Sequence, residues 1–342
     1  MSVAIVYSEK YLEHVPGPGH PERPDRLKAI VEGLKRAGLW HAPDVEIFEP
    51  NPAIREEIEL AHDPEYITLF EKLSAMERPI DADTPVHKNT LELAMLASGG
   101  AIMAGRLVVS GDVRSAFALV RPPGHHASRS EGGGFCYFNN AAVMIKYVKK
   151  EFNIRRVFIL DIDAHHGNGT QDIFYDDPTV LYMSIHQHPS TLYPGTGFVS
   201  EIGSGEGKGY NVNVPVGPGS DDADYEGIMR EIFLPLSEQF RPELFVVSVG
   251  FDAHIDDPLT SLQLSTSAYG RLADFVIQQA ERMCESRVIF LLEGGYDLNA
   301  LSGGVLNIMK VMRGERFSPT TEPKHPEVID EVKLALSDKW KL

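Results

Sequence analysis

Val157-Phe158-Ile159-Leu160-Asp161-Ile162-Asp163-Ala164-His165-His166-Gly167-Asn168-Gly169-Thr170 begins as an unbroken apolar run and ends in acids and histidines. The run has the length of a strand and does not alternate, so it predicts a strand buried on both faces, as in a parallel sheet. The polar cluster follows at the carboxyl end of that strand. Open α/β sheets bind their ligands outside those ends. The same grammar recurs on both sides. Ala116–Val120 is followed by Arg121-Pro122-Pro123-Gly124-His125-His126, and Val180–Met183 by Ser184-Ile185-His186. Leu244–Val247 is followed by Gly250-Phe251-Asp252-Ala253-His254, and Val288–Leu292 by Glu293-Gly294-Gly295-Tyr296. Packing alone is apolar and indifferent to strand direction. Five polar clusters at five carboxyl ends therefore predict a functional cleft on one edge of the sheet.

Helical patterns lie between the runs. Leu27, Ile30, Val31 and Leu34 share one helix face, with Gly38 placed to end it, and 139–150, 222–240 and 267–283 read as further helices. Val3–Tyr7 reads as another strand. Strands alternating with helices, with no repeat and no long linker, predict an α/β fold with a mostly parallel sheet and one domain over 1–342. The 43% apolar and 24% charged residues are an ordinary globular mix. No apolar run approaches the ~18 residues that span a bilayer, and the N-terminus lacks the pattern of a secretory leader. Cys136 and Cys284 form no CxxC pair, which predicts small buried thiols in a reducing compartment. These features predict a soluble cytoplasmic protein without a membrane partner. A net charge of −17 argues against direct nucleic-acid binding and permits a cationic substrate.

Asp163 and His165 stand two apart at a strand end, so in extended chain both point the same way. With Asp252 from another strand end they make an O, N, O set with an open fourth position, as catalytic zinc requires. Iron(II) suits the same donors. His125 and His126 follow a Pro-Pro-Gly turn and titrate near neutrality, as general acid–base work requires. Asp161 and Asn168 are the partners available to divide their roles, a carboxylate favouring the charged ring and an amide not. Tyr296, after two glycines, is placed to donate a hydrogen bond to a developing oxyanion.

The quoted blocks, together with Gly134-Phe-Cys-Tyr-Phe-Asn-Asn140, Tyr193-Pro-Gly-Thr-Gly197 and Asn213-Val-Pro215, make the chain resemble the zinc-dependent histone deacetylase superfamily. That group includes histone deacetylases, acetylpolyamine amidohydrolases and acetoin-utilisation proteins. The resemblance runs from about His20 to residue 312. It implies a single α/β domain on an eight-stranded parallel sheet, similar to arginase. It implies one zinc on Asp163, His165 and Asp252, with His126 as general base, His125 as electrostatic partner and Tyr296 as transition-state donor. Gly134 and Phe135 would form one tunnel wall, Tyr193 the other, where many members have Phe, and Leu259 the far side. Asp83 would be the rim acid that orients a peptide backbone. Structural potassium is implied at an inner site of Asp161, Asp163, His165, Ser184 and Ile185. An outer site would use Phe174, Asp177, Val180 and Tyr210.

The reaction implied is hydrolysis of an N-acetyl amide on acetyl-lysine, in a peptide or protein, or on an acetylated polyamine. Asn168, where some members place Asp, resembles the class II arrangement. No long insertion lies between the first helix and residue 60, where acetylpolyamine amidohydrolases often carry one, which favours an open mouth and a lysine-type substrate. Two rivals are weighed against this. A two-manganese ureohydrolase needs further carboxylates where Gly167 and His254 stand. A silent module that only binds acetylated ligands is disfavoured by Tyr296, which such members often replace.

Overall fold

Eight strands account for the recurring apolar runs and for two segments that lack them. In the computed structural model, which describes residues 2–320 and 322–342, they are β1 (Val3–Val6), β2 (Val45–Phe48), β3 (Ser115–Ala118), β4 (Val157–Asp161), β5 (Val180–Gln187), β6 (Asn211–Val216), β7 (Leu244–Val249) and β8 (Val288–Leu292). They form one sheet in the order β2-β1-β3-β8-β7-β4-β5-β6. Every pairing is parallel, so the sheet is wholly rather than mostly parallel. Each residue of β3, β4, β5, β7 and β8 is buried, as their unbroken apolar runs require.

The register sets the site. Asp161 at the end of β4 pairs with Ser248 of β7 and Ser184 of β5, and Val249 pairs with Leu292 of β8. The chain therefore leaves β8, β7 and β4 side by side, with the exit of β3 next in line. Crossover helices carry the chain back between parallel strands. Asp25–Arg36, Asn140–Phe152 and Thr266–Met283 fall where the periodicity puts them, and Gly38 follows the first with φ +71°. The 222–240 helix is interrupted by a π turn at Met229–Phe233.

β2 and β6 are edge strands, which explains why neither reads as an apolar run. β2 is four residues long and half exposed. β6 alternates Asn and Val and holds Pro215, tolerated because β6 pairs only with β5. The C-terminal segment packs against this edge: helix Val328–Leu336 lies on β6, and Trp340 Nε1 donates to Gly209 O at 2.6 Å. β5 runs on through Ser184 and His186 instead of stopping before them.

Helix Thr90–Val109 is long and apolar enough to cross a membrane by composition, with mean hydropathy 1.4. It is interrupted by Glu92 and Arg106, so it never forms an unbroken run, and most of its residues are buried against the sheet and its neighbours. Cys136 and Cys284 are free and buried, as expected.

Candidate active site

The chain leaving β4 does not stay extended. Asp163 N donates to Asp161 Oδ1 at 3.2 Å, and His165 N to Asp163 Oδ1 at 2.9 Å. These side-chain-to-backbone turns, not strand alternation, bring Asp163 and His165 together. Asp252 reaches them from the exit of β7, with its Oδ1 accepting from Ala164 N at 2.8 Å. Asp163 Oδ2 accepts from Gly294 N, also at 2.8 Å. Both oxygens of Asp163 and one of Asp252 are thus tied to backbone. Asp163 Oδ1 and Asp252 Oδ2 each also lie 3.1 Å from His165 Nδ1.

Among the described residues these three form a group whose ligand atoms lie within 4.8 Å of one another. Neither carboxylate has a Lys or Arg partner among the described residues, although both are buried. Charges so buried need a counter-charge. Burial works to lower the His165 pKa, but Asp163 and Asp252 push it up to about 10. The two carboxylates therefore favour positive charge at this spot, and a metal bound by these donors would compete with the His165 proton. Gly294 makes room for the pair: a Cβ there would fall 2.3 Å from Asp252 Oδ2 and 2.6 Å from Asp163 Oδ2.

The two histidines beside this group have different partners. His125 Nδ1 donates to Asp161 Oδ2 at 3.1 Å, and His126 Nδ1 to Asn168 Oδ1 at 2.7 Å. Their ring centroids are 4.0 Å apart. Burial opposes charge on His125, yet Asp163, Asp161 and Glu293 push its pKa up to about 10. Burial holds His126 well below its ordinary value, and the positive charges of His125 and His165 add to this. The carboxylate behind His125 favours charge on that ring, and the amide behind His126 with the charges around it favours the neutral form. With its proton on Nδ1, His126 keeps a lone pair on Nε2. Glu293 fixes the turn from behind, its Oε2 accepting from Gly124 N at 2.8 Å and His125 N at 3.1 Å.

These groups open into a cavity of about 170 Å³ that Tyr296, Phe135, Tyr193 and Leu259 also line, with Asp81 and Asp83 at its mouth. Gly134 has φ +54°, and a Cβ there would stand 2.6 Å from His126 Cδ2. Phe135 keeps a left-handed φ of +70°, uncommon for an aromatic residue, and its ring meets that of Tyr296 edge-on at 6.1 Å. Tyr193 packs edge-on to His126 at 5.0 Å. The expected wall residues, the histidine pair, Asp163, His165 and Tyr296 thus line one pocket, while Asp252, Asp161 and Asn168 stand behind it, bonded to His165, His125 and His126 in turn.

The family model described as the histone deacetylase domain matches residues 20–312. The chain belongs to the histone deacetylase family. A probable deacetylase from Archaeoglobus fulgidus is 40% identical over 359 residues, covering 100% of this chain and 99% of that protein. Polyamine deacetylase HDAC10 from Homo sapiens is 35% identical, covering 94% of this chain and 49% of that protein. A crystal structure described as the HDA15 HD domain matches with a TM-score of 0.92 at 34% identity, covering 99% of this chain and 97% of that one. This deacetylase therefore belongs to a family of amide-hydrolysing enzymes, and the fold expected from the motifs is the fold found.

Around this deacetylase-family site stand residues to which the motifs assigned no role. Arg26 donates through Nε to Gly295 O at 2.7 Å and through Nη2 to Glu293 O at 2.6 Å, and its guanidinium lies 5.1 Å from the centre of the Tyr296 ring. Glu22 binds Arg26 and Arg121, and although burial raises its pKa, Arg121 brings it down to about 2. Asp257 and Glu293 are buried carboxylates beside the Tyr296 turn. His20 packs on Phe135 at 4.7 Å and meets Asp83 O through Nε2 at 3.2 Å. Of this group, the sequence marked Glu293, as part of the cluster after the last apolar run, and His20, as the start of the resemblance. At the place where the resemblance implies an inner potassium, Asp161 and Ser184 are cross-strand partners. At the outer one the carbonyls of Phe174, Asp177 and Tyr210 already accept backbone N–H groups.

Proposed function

We propose that this deacetylase carries one zinc ion on Asp163, His165 and Asp252 and releases acetate from acetyl-lysine or a related acetylated amine. The observation that supports this best is the divided histidine pair, one ring backed by a carboxylate and one by an amide, beside a buried Asp-His-Asp set. Zinc bound there would supply a polarised acetyl carbonyl and a water of lowered pKa.

The chain's own groups do the rest. His126 Nε2 takes a proton from the water as its oxygen bonds to the acetyl carbon. His125 stays charged against Asp161 and stabilises the negative charge that develops. The Tyr296 hydroxyl donates to the developing oxyanion. The C–N bond then breaks, His126 returns its proton to the amine nitrogen, and acetate remains. Phe135 and Tyr193 flank a methylene chain, and Asp83 holds the carrier at the rim. Asn168 behind His126 resembles the class II arrangement. Structural potassium belongs to the same reading, on Asp161, Asp163, His165, Ser184 and Ile185 inside and on Phe174, Asp177, Val180 and Tyr210 outside.

Metal removal tests this. Chelated protein should lose deacetylation of an acetyl-lysine peptide, and about one equivalent of Zn²⁺ per chain should restore it. Iron(II) added to the same apoprotein tests the alternative metal. Full activity without metal, or two tightly held catalytic ions, overturns the single-zinc reading. Comparing kcat/KM for acetyl-lysine peptides and acetylated polyamines then identifies the amine.

A further inference from the structure

Asp257 is buried, with a relative exposure of 6%, and has no Lys, Arg or His partner among the described residues. Its carboxylate accepts only backbone N–H groups. Oδ1 takes Leu259 N at 3.0 Å, on the loop after β7. Oδ2 takes Tyr296 N at 2.7 Å, with Asp297 N more distant at 3.4 Å, on the turn after β8. One side chain therefore pins together the loop that presents Asp252 and Leu259 and the turn that presents Tyr296.

That turn needs a restraint. Tyr296 follows Gly295 at φ +112°, a conformation in which glycine imposes no side-chain barrier of its own. On its N-terminal side the turn is held by Gly294 N on Asp163 and by Arg26 on Gly295 O. Beyond it, Asp297 caps helix Leu298–Met312 by accepting from Asn299 N and Ala300 N. The backbone N–H of Tyr296 itself lies between these anchors, and Asp257 is its acceptor.

We infer that Asp257 is a positioning residue for Tyr296, aiming its hydroxyl through the backbone and tying that aim to the Leu259 wall. This rests on the proposed role of Tyr296 as oxyanion donor. Misplacing a catalytic group by 1 Å can cost about 10²-fold in rate. Asn at position 257 keeps one good acceptor but turns an NH₂ donor toward the other N–H.

The experiment is a double-mutant cycle in the metal-loaded enzyme, with Asp257→Asn and Tyr296→Phe alone and together, assayed on a small acetylated amine. Asp257→Asn should lower kcat about 10-fold or more, with KM within about 2-fold and zinc content unchanged. In the Tyr296→Phe background the same change should alter kcat by less than about 2-fold, because no hydroxyl remains to aim. An equal loss in both backgrounds would mean a general structural role and overturn the inference. So would unchanged kcat in Asp257→Asn beside a deep loss in Tyr296→Phe. Near-normal kcat in Tyr296→Phe overturns the role of Tyr296 itself, and this inference with it. Should Asp257→Asn fold poorly, Asp257→Ser enters the same cycle.

Discussion

The floor of the pocket and its mouth are built differently. On the floor, Asp161, Asp163, Asp252 and Glu293 are buried and each accepts from backbone N–H or a fixed side chain. At the mouth, Asp83 is exposed, as are Tyr193 at 51% and Leu259 at 39%. Rigid burial gives a group a fixed aim and a shifted protonation state. Exposure leaves it screened by water and cheap to change. Chemistry belongs to the first region and choice of substrate to the second, and each prediction below sets one against the other.

The largest effects belong on the floor. His126→Ala should lower kcat by about 10²–10⁴, as expected for a lost general acid–base. Zinc content should remain near one equivalent, because His126 is outside the ligand set. A variant with near-normal turnover would shift the proton transfers to another group. Tyr296→Phe should cost about 10²–10³ in kcat, with the thermal midpoint unchanged. Steady-state kinetics beside a melting curve separates that outcome from misfolding.

A third expectation concerns acid. His14 and His62 are buried, and burial lowers each pKa to about 4. The folded state keeps them neutral, whereas the unfolded chain protonates them near pH 6.5. Their contribution to stability is therefore complete above pH 6.5 and is lost as pH falls from there to about 4. Urea midpoints at pH 7.5, 6 and 5 should fall in that order. His62→Gln should flatten the trend, and an unaltered slope would count against His62.

The smallest effects belong at the mouth. Asp83→Asn should raise KM for an acetyl-lysine peptide a few-fold and leave a small acetylated amine nearly unaffected, with kcat unchanged for both. Exposed charges are screened over ~10 Å at 0.1 M salt, so kcat/KM for a Lys- and Arg-rich peptide should fall with ionic strength. A neutral peptide with the same salt dependence would show that the acidic rim steers nothing.

The same division governs how much the sequence discloses. Asp163, His165, Asp252, His125, His126 and Tyr296 are legible because few chemistries need those types at strand ends. Yet the extended-chain argument found Asp163 and His165 for the wrong reason, since turns made by Asp161 and Asp163 bring them together. Arg26, Glu293 and Asp257 act by holding backbone, and such work leaves no mark in residue type. Arg26 meets Glu293 across 267 positions of sequence. β2 and β6 escape notice because an edge strand has no need of an unbroken apolar run.

The C-terminal segment lies beyond residues 20–312, which the family shares, yet it closes an exposed boundary of the sheet. An uncovered strand edge is a ready template for another chain to add to. β6, interrupted by Pro215, is already a poor template, and Trp340, 5.5 Å from the Tyr210 ring, seals the loop leading into it. The last helix and the tryptophan that follows it thus cover an edge to which another chain could otherwise add. Loosening them, for instance by Trp340→Ala, should show first as concentration-dependent light scattering on gentle heating, while freshly prepared enzyme still turns over normally.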